Sequence, residues 1–175
     1  MARADWQEPT SLLPLNWGTY TDRYLAGLAL IVGGAVQLNG SNVWTIPFLL
    51  LGTAVHVLGW IILPARGWRR GLAAIAGTGS AVALLVGPRA MPILAVTLIA
   101  WLLVRHRPLV SYVTVILPLA CGLVVSQLLT AYSGMPVALL ICVTVLVTSA
   151  WLARLIAASA TPFGRTPSKS EAGIG

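Results

Sequence analysis

Apolar residues fall into six uniform runs separated by short polar breaks, at roughly 24–38, 43–63, 71–86, 90–104, 109–129 and 135–157. A helix needs about 20 consecutive apolar residues to cross about 30 Å of hydrocarbon. The second, fifth and sixth runs reach that length, whereas the first, third and fourth are nearer 15. A short run must thin the bilayer, extend into the interface or fail to cross. Besides residues 64–70, the breaks are Asn39-Gly40-Ser41-Asn42, Gly87-Pro88-Arg89, Arg105-His106-Arg107-Pro108 and residues 130–134. Gly, Pro, Asn and Ser supply the backbone angles of tight turns, so consecutive runs pair as antiparallel hairpins. The expected fold is all-α: a polytopic transmembrane helical bundle of six crossings, arranged as three helical hairpins. Residues 1–23 form a polar interfacial leader, 24–158 the transmembrane domain and 159–175 a disordered cytoplasmic tail with little to bury.

Charge orients this bundle. Arg66, Arg69 and Arg70 sit between the second and third runs, and clustered cations resist translocation and stay in the cytoplasm. With that loop inside and six crossings, Arg3, Arg23, Arg105, Arg107, Arg154, Arg165 and Lys169 are also inside, and only Arg89 is outside. Ten against one favours N-in, C-in. Fusing the third and fourth runs would send Arg105 and Arg107 to the far face. A re-entrant hairpin over 72–104 leaves every other loop in place and would bury Arg89 at membrane depth.

Composition agrees. The 175 residues are 58% hydrophobic and 9% charged, with mean hydropathy +0.89, against roughly 25% charged residues in soluble domains. The net charge of +7 sits at the ends of apolar runs rather than on one exposed face, which excludes nucleic acid as the expected partner. Ten Arg against one Lys point to a GC-rich bacterial genome, and hence to the bacterial cytoplasmic membrane. The polar residues 1–23 lack the features of a cleavable signal peptide, so the first helix is expected to serve as its own insertion signal.

The chemistry argues mostly by exclusion. The four carboxylates, Asp5, Glu8, Asp22 and Glu171, all lie in the leader or the tail. A proton relay or a two-carboxylate hydrolase has no intramembrane acid to work with. No nucleophile elbow, His-Glu-x-x-His or phosphate loop is present. Neither a metal nor a cofactor is expected. His56 lies mid-run with Gly52 and Gly59 on one helical face. It points either at a ligand or at a neighbouring carbonyl or hydroxyl that simply satisfies it; a haem would want a second ligand, and His106 is in a loop. Cys121 and Cys142 share a depth and are placed to face one another. Small residues recur at Ala26, Ala29 and Gly33 and at Ala73, Gly77 and Ala81, spacings that bring helices close, either within the bundle or at a docking face. Pro47–Trp60–Arg66, Pro92–Trp101–Arg105 and Pro136–Trp151–Arg154 suggest a triplicated hairpin, but Pro-to-Trp spacings of 13, 9 and 15 fit generic interface rules better.

These observations support a non-enzymatic accessory or assembly component that packs against other membrane subunits or a second copy of itself. The alternative is a substrate-binding or transport subunit with an outward pocket for a small neutral or anionic ligand, contacted by His56, Arg89, Gln37 and Gln127. A lipid-modifying enzyme would have to rely on His56 or on arginines. Arg66, Arg69, Arg70, Arg105 and Arg107 form a basic collar suited to anionic lipid headgroups.

Overall fold

A computed structural model of the chain describes residues 9–14, 18–41 and 44–160. Among the described residues the secondary structure is helical, with no strand. The main helices are α1 (Tyr20–Asn39), α2 (Ile46–Ile62), α3 (Gly67–Ala83), α4 (Leu94–Val104), α5 (Ile116–Leu128) and α6 (Met135–Ala160). Tighter 3-10 stretches continue α3 (Leu84–Val86) and precede α4 (Pro88–Ile93), α5 (Leu109–Val115) and α6 (Tyr132–Gly134). Pro92 and Pro118 have no backbone N–H to give to the carbonyl four residues earlier, which favours the tighter winding in the turns around and before them.

Among the described residues, three continuous helical segments are long and apolar enough to cross a membrane: Gly67–Val86, Leu109–Leu128 and Tyr132–Ser159. Ile46–Ile62 and Pro88–Val104 are shorter apolar helices. The order of lengths differs from the expectation in two places. The third segment reaches 20 residues because its helix begins at Gly67, within the basic break, and the second closes at 17 because Leu63 and Pro64 leave helical geometry. The surface between the bundle ends is apolar: Leu25, Val32, Leu51, Leu58, Ile75, Leu123, Leu140 and Val147 are all exposed. Water would not tolerate so continuous a surface, whereas lipid would.

Thr19 opens α1 with a reciprocal cap, its hydroxyl accepting from the Asp22 N–H at 3.2 Å while the Asp22 carboxylate accepts from the Thr19 N–H at 3.2 Å. The first helix therefore starts four residues before the apolar run does. At the other end α6 extends through Ser159 and Ala160, two residues into the stretch expected to be tail. Residues 161–175, and of the leader residues 1–8 and 15–17, lie outside the described residues.

Two buried clusters occupy opposite ends of the bundle. Trp60, Leu63, Ala73, Ala74, Ala100 and Val104 pack at the arginine-rich end. Leu84, Met91, Leu94, Val125, Met135 and Cys142 pack at the other. There α5 lies against the 3-10 turn before α4 so closely that a Cβ on Gly122 would sit 2.7 Å from Pro92 Cα.

Candidate functional site

α1 packs on α2 through four glycines. A Cβ on Gly34 would come within 2.6 Å of the His56 N and 2.8 Å of the Gly52 carbonyl; one on Gly59 would meet the Ile31 N at 2.7 Å and the Gly27 carbonyl at 2.8 Å. Gly27 and Gly34, like Gly52 and Gly59, are seven residues apart, so each pair shares one face and the two backbones touch along two turns. This draws α1 towards α2 and away from α6. A cleft of about 810 Å³ remains between α1 and α6. Ala35 and Asn39 of α1 and Val143 and Trp151 of α6 are among its walls, and Gly77 of α3, Thr97 of α4 and His56 of α2 also line it. Its lining on α6 runs from Pro136 to Trp151, about 22 Å at 1.5 Å per residue.

His56 is 2% exposed, and its Nδ1 lies 2.9 Å from the Thr78 hydroxyl. It also begins a file of rings: His56 to Trp60 at 6.2 Å between centroids, Trp60 to Trp101 at 6.4 Å, Trp101 to Tyr24 at 6.1 Å and Tyr24 to Tyr20 at 6.3 Å. Trp60 is fully buried against Gly77, where a Cβ would meet its ring at 2.5 Å. The small residues Ala73, Gly77 and Ala81 of α3 are thus spent inside the bundle, whereas Ala26, Ala29 and Gly33 of α1 are exposed. The three tryptophans of the proposed hairpin rhyme occupy three environments, Trp60 buried, Trp101 half-buried and Trp151 exposed.

Of the residues expected at an outward pocket, only His56 lines the cleft. Gln37 is half-buried near Gly52, and Arg89 and Gln127 are exposed; no hydrogen bond joins these three among the described residues. The collar arginines divide. Arg70 donates to the Ile61 carbonyl at 3.2 Å and Arg69 to the Leu103 carbonyl at 3.2 Å, while Arg23, outside the expected set, donates from Nε to the Ile62 carbonyl at 3.1 Å. These carbonyls belong to the last turns of α2 and α4, where the helix dipole favours a cation, and that of Leu103 also accepts from the His106 N–H at 3.3 Å. Arg105 is 6% exposed and donates to the Tyr20 hydroxyl at 2.6 Å, with its guanidinium 4.8 Å from the Tyr24 ring and 5.6 Å from that of Trp101. Tyr20 in turn lies 3.2 Å from the Thr10 hydroxyl, tying the buried Thr10 to this end of the bundle. Arg66 is exposed and Arg107 half-buried.

His106 closes α4 with φ 53, and burial, followed by the nearby charges of Arg69 and Arg66, holds its imidazole below the ordinary 6.5. The Asp22 carboxyl is held below its usual value by the Thr19 hydroxyl and then the Thr19 N–H. The Cys121 and Cys142 sulfurs lie 3.9 Å apart as free thiols, so they do face one another. Among the described residues no group of three or more His, Cys, Asp or Glu is placed to hold a metal.

Sequence reasoning missed Thr78 as the partner of His56 and missed the cleft itself. A threonine 22 positions away carries no sequence mark of the contact, and the cleft depends on which helices fail to touch. Comparison with protein-family models, with curated proteins and with solved structures finds no match.

Proposed function

We propose that the chain is a six-crossing protein of the bacterial cytoplasmic membrane, N-in and C-in, that binds a small apolar molecule from the bilayer in the cleft between α1 and α6. This makes it a substrate-binding or transport subunit without catalysis of its own. The observation that carries the reading is the cleft, whose volume of about 810 Å³ falls within the roughly 300–1,000 Å³ of small-molecule sites.

Six crossings are supported by the lengths of the shorter elements. A 3-10 helix rises about 2.0 Å per residue against 1.5 Å in an α-helix, which brings Pro88–Val104 to about 28 Å and α2 to about 25 Å. Orientation is supported by the gathering of Arg23, Arg69, Arg70 and Arg105 around one set of helix ends. Anionic headgroups are the partners proposed for the exposed Arg66 and for Arg154. The absence of any carboxylate between Asp22 and Glu171 supports a role without acid–base chemistry.

The test is lipid analysis by mass spectrometry of protein purified in mild detergent. The intact chain should retain one apolar molecule per copy, and Val143→Trp, which fills the cleft, should lose it while remaining monodisperse. Equal recovery from both proteins, or from neither, defeats the reading. A second reading, an accessory component acting through helix packing, is favoured by the outward face of Ala26, Ala29 and Gly33. It requires a membrane subunit that co-purifies with the chain and is lost with Gly33→Leu.

A further inference from the structure

His56 presents an unused polar atom to an apolar cleft. Its residue is 2% exposed and lines the cleft, its Nδ1 is engaged with Thr78, and its Nε2 has no hydrogen-bond partner among the described residues. The tautomer follows from the hydroxyl. Thr53, Ser80, Thr144 and Ser149 each turn their hydroxyl back to the carbonyl four residues earlier, but Thr78 makes no such bond. If Nδ1 carried the proton, both the Thr78 hydrogen and the Nε2 lone pair would go unsatisfied. If Thr78 donates to Nδ1, the only group left over is Nε2–H. Buried polar groups are rarely left unpaired, so the second arrangement is the favoured one. The His56 Nε2–H is therefore a buried donor left without a partner in the wall of the cleft, which the Thr97 hydroxyl and the Trp151 indole also line.

The depth of that donor selects what can answer it. His56 lies ten residues from the start of α2 at Ile46, about 15 Å, near the middle of a hydrocarbon layer about 30 Å thick. The headgroups and ester linkages of an ordinary phospholipid stay at the interface, and the acyl tails that reach this depth carry no acceptor. No Asp or Glu lies between Asp22 and Glu171 to serve in their place or to hold the imidazole as a cation. We infer that the ligand is a bilayer-soluble lipid with a carbonyl oxygen set in an apolar body, the chemistry of a lipid quinone headgroup, and that His56 Nε2–H donates to that oxygen. The inference rests on the cleft being a ligand site.

Two probes separate the hook from the cleft: a decyl-substituted benzoquinone and decylcyclohexane, similar in shape but without an acceptor. Binding of each to the full chain in detergent micelles is followed by competition against a fluorescent apolar dye. The quinone should bind at least tenfold more tightly than the hydrocarbon, and His56→Phe should abolish that preference while leaving hydrocarbon binding within about twofold. Equal binding of both probes to the unaltered chain overturns the carbonyl hook and leaves the cleft standing; binding of neither overturns the cleft reading as well. Should His56→Phe not fold, nitrogen-15 resonances of labelled histidine in the unaltered chain decide instead. The Nε2-protonated form should be present without probe, and its Nε2 resonance should move with the quinone and not with decylcyclohexane. A Nδ1-protonated form, or a resonance indifferent to the quinone, refutes the inference.

Discussion

His106 gives the fold a response to pH, because burial and neighbouring charge act on its imidazole together. It stands among Arg66, Arg69 and burial, all of which disfavour its protonated form, and its imidazole is held below 6.5. Below pH 6.5 the unfolded chain binds a proton that the folded chain refuses. The stability that neutral His106 contributes is therefore fully present above 6.5 and is lost as pH falls towards the folded value. Asp22 is silent in this window, because its depressed carboxyl contributes above its ordinary 3.8 and loses that contribution only in more acid solution. Thermal unfolding in detergent should show a midpoint that drops between pH 7 and pH 5, and His106→Asn should drop less. Asparagine is the replacement to use because it tolerates the positive φ of 53 at this position. Identical slopes for the two proteins would remove His106 from the pH response. At this scale the sequence marked His56 for attention on its glycine-flanked face, and the structure supplies what spacing alone could not, a hydroxyl from another helix.

At the scale of elements, the helices were readable and their faces only in part. Helix positions follow from apolar run length, but the ends of α1, α2 and α3 are set by Thr19, by Leu63-Pro64 and by the basic turn from Gly67, which a count of apolar residues passes over. Helix one carries two rows of small residues, and periodicity gives no reason to prefer Gly27 and Gly34 over Ala26, Ala29 and Gly33. The structure chooses the glycines because only they let the α2 backbone in; the alanine row turns outward. Paired substitutions on neighbouring positions test this choice. A Cβ on Gly34 meets backbone atoms of α2 at 2.6–2.8 Å, which have no side-chain freedom with which to yield, whereas one on Gly33 meets nothing within 4 Å. Gly34→Ala should cost about 1–3 kcal/mol through overpacking, and Gly33→Ala should cost nothing and gain up to about 1 kcal/mol from the lower backbone entropy of alanine. Unfolding midpoints that fall equally in the two variants would contradict the close α1–α2 contact.

The whole molecule combines an arginine-rich end, legible from charge alone, with a cleft that no single run of sequence encodes. The cleft exists because four glycines commit α1 to α2, and the same commitment leaves α6 without a neighbour on that side. Which way round this assembly sits in the bilayer is open to direct measurement. Trp68 and Leu109 are exposed at the arginine-rich end, and Arg89 and Tyr132 are exposed in the breaks at the other. Single cysteines at these four positions, treated with a membrane-impermeant maleimide, should divide into two pairs. Arg89→Cys and Tyr132→Cys should label in intact cells, and Trp68→Cys and Leu109→Cys only after the membrane is opened. The native chain serves as the blank, since Cys142 is buried, Cys121 is half-buried against it, and a maleimide needs a thiolate in water. A thiol at Arg89 that stays unlabelled from outside while Tyr132→Cys reacts would turn residues 72–104 into a re-entrant hairpin. Splitting Trp68 from Leu109 would go further. It would place Arg69 and the Leu103 carbonyl it caps on opposite faces of the membrane, which a 3.2 Å hydrogen bond forbids.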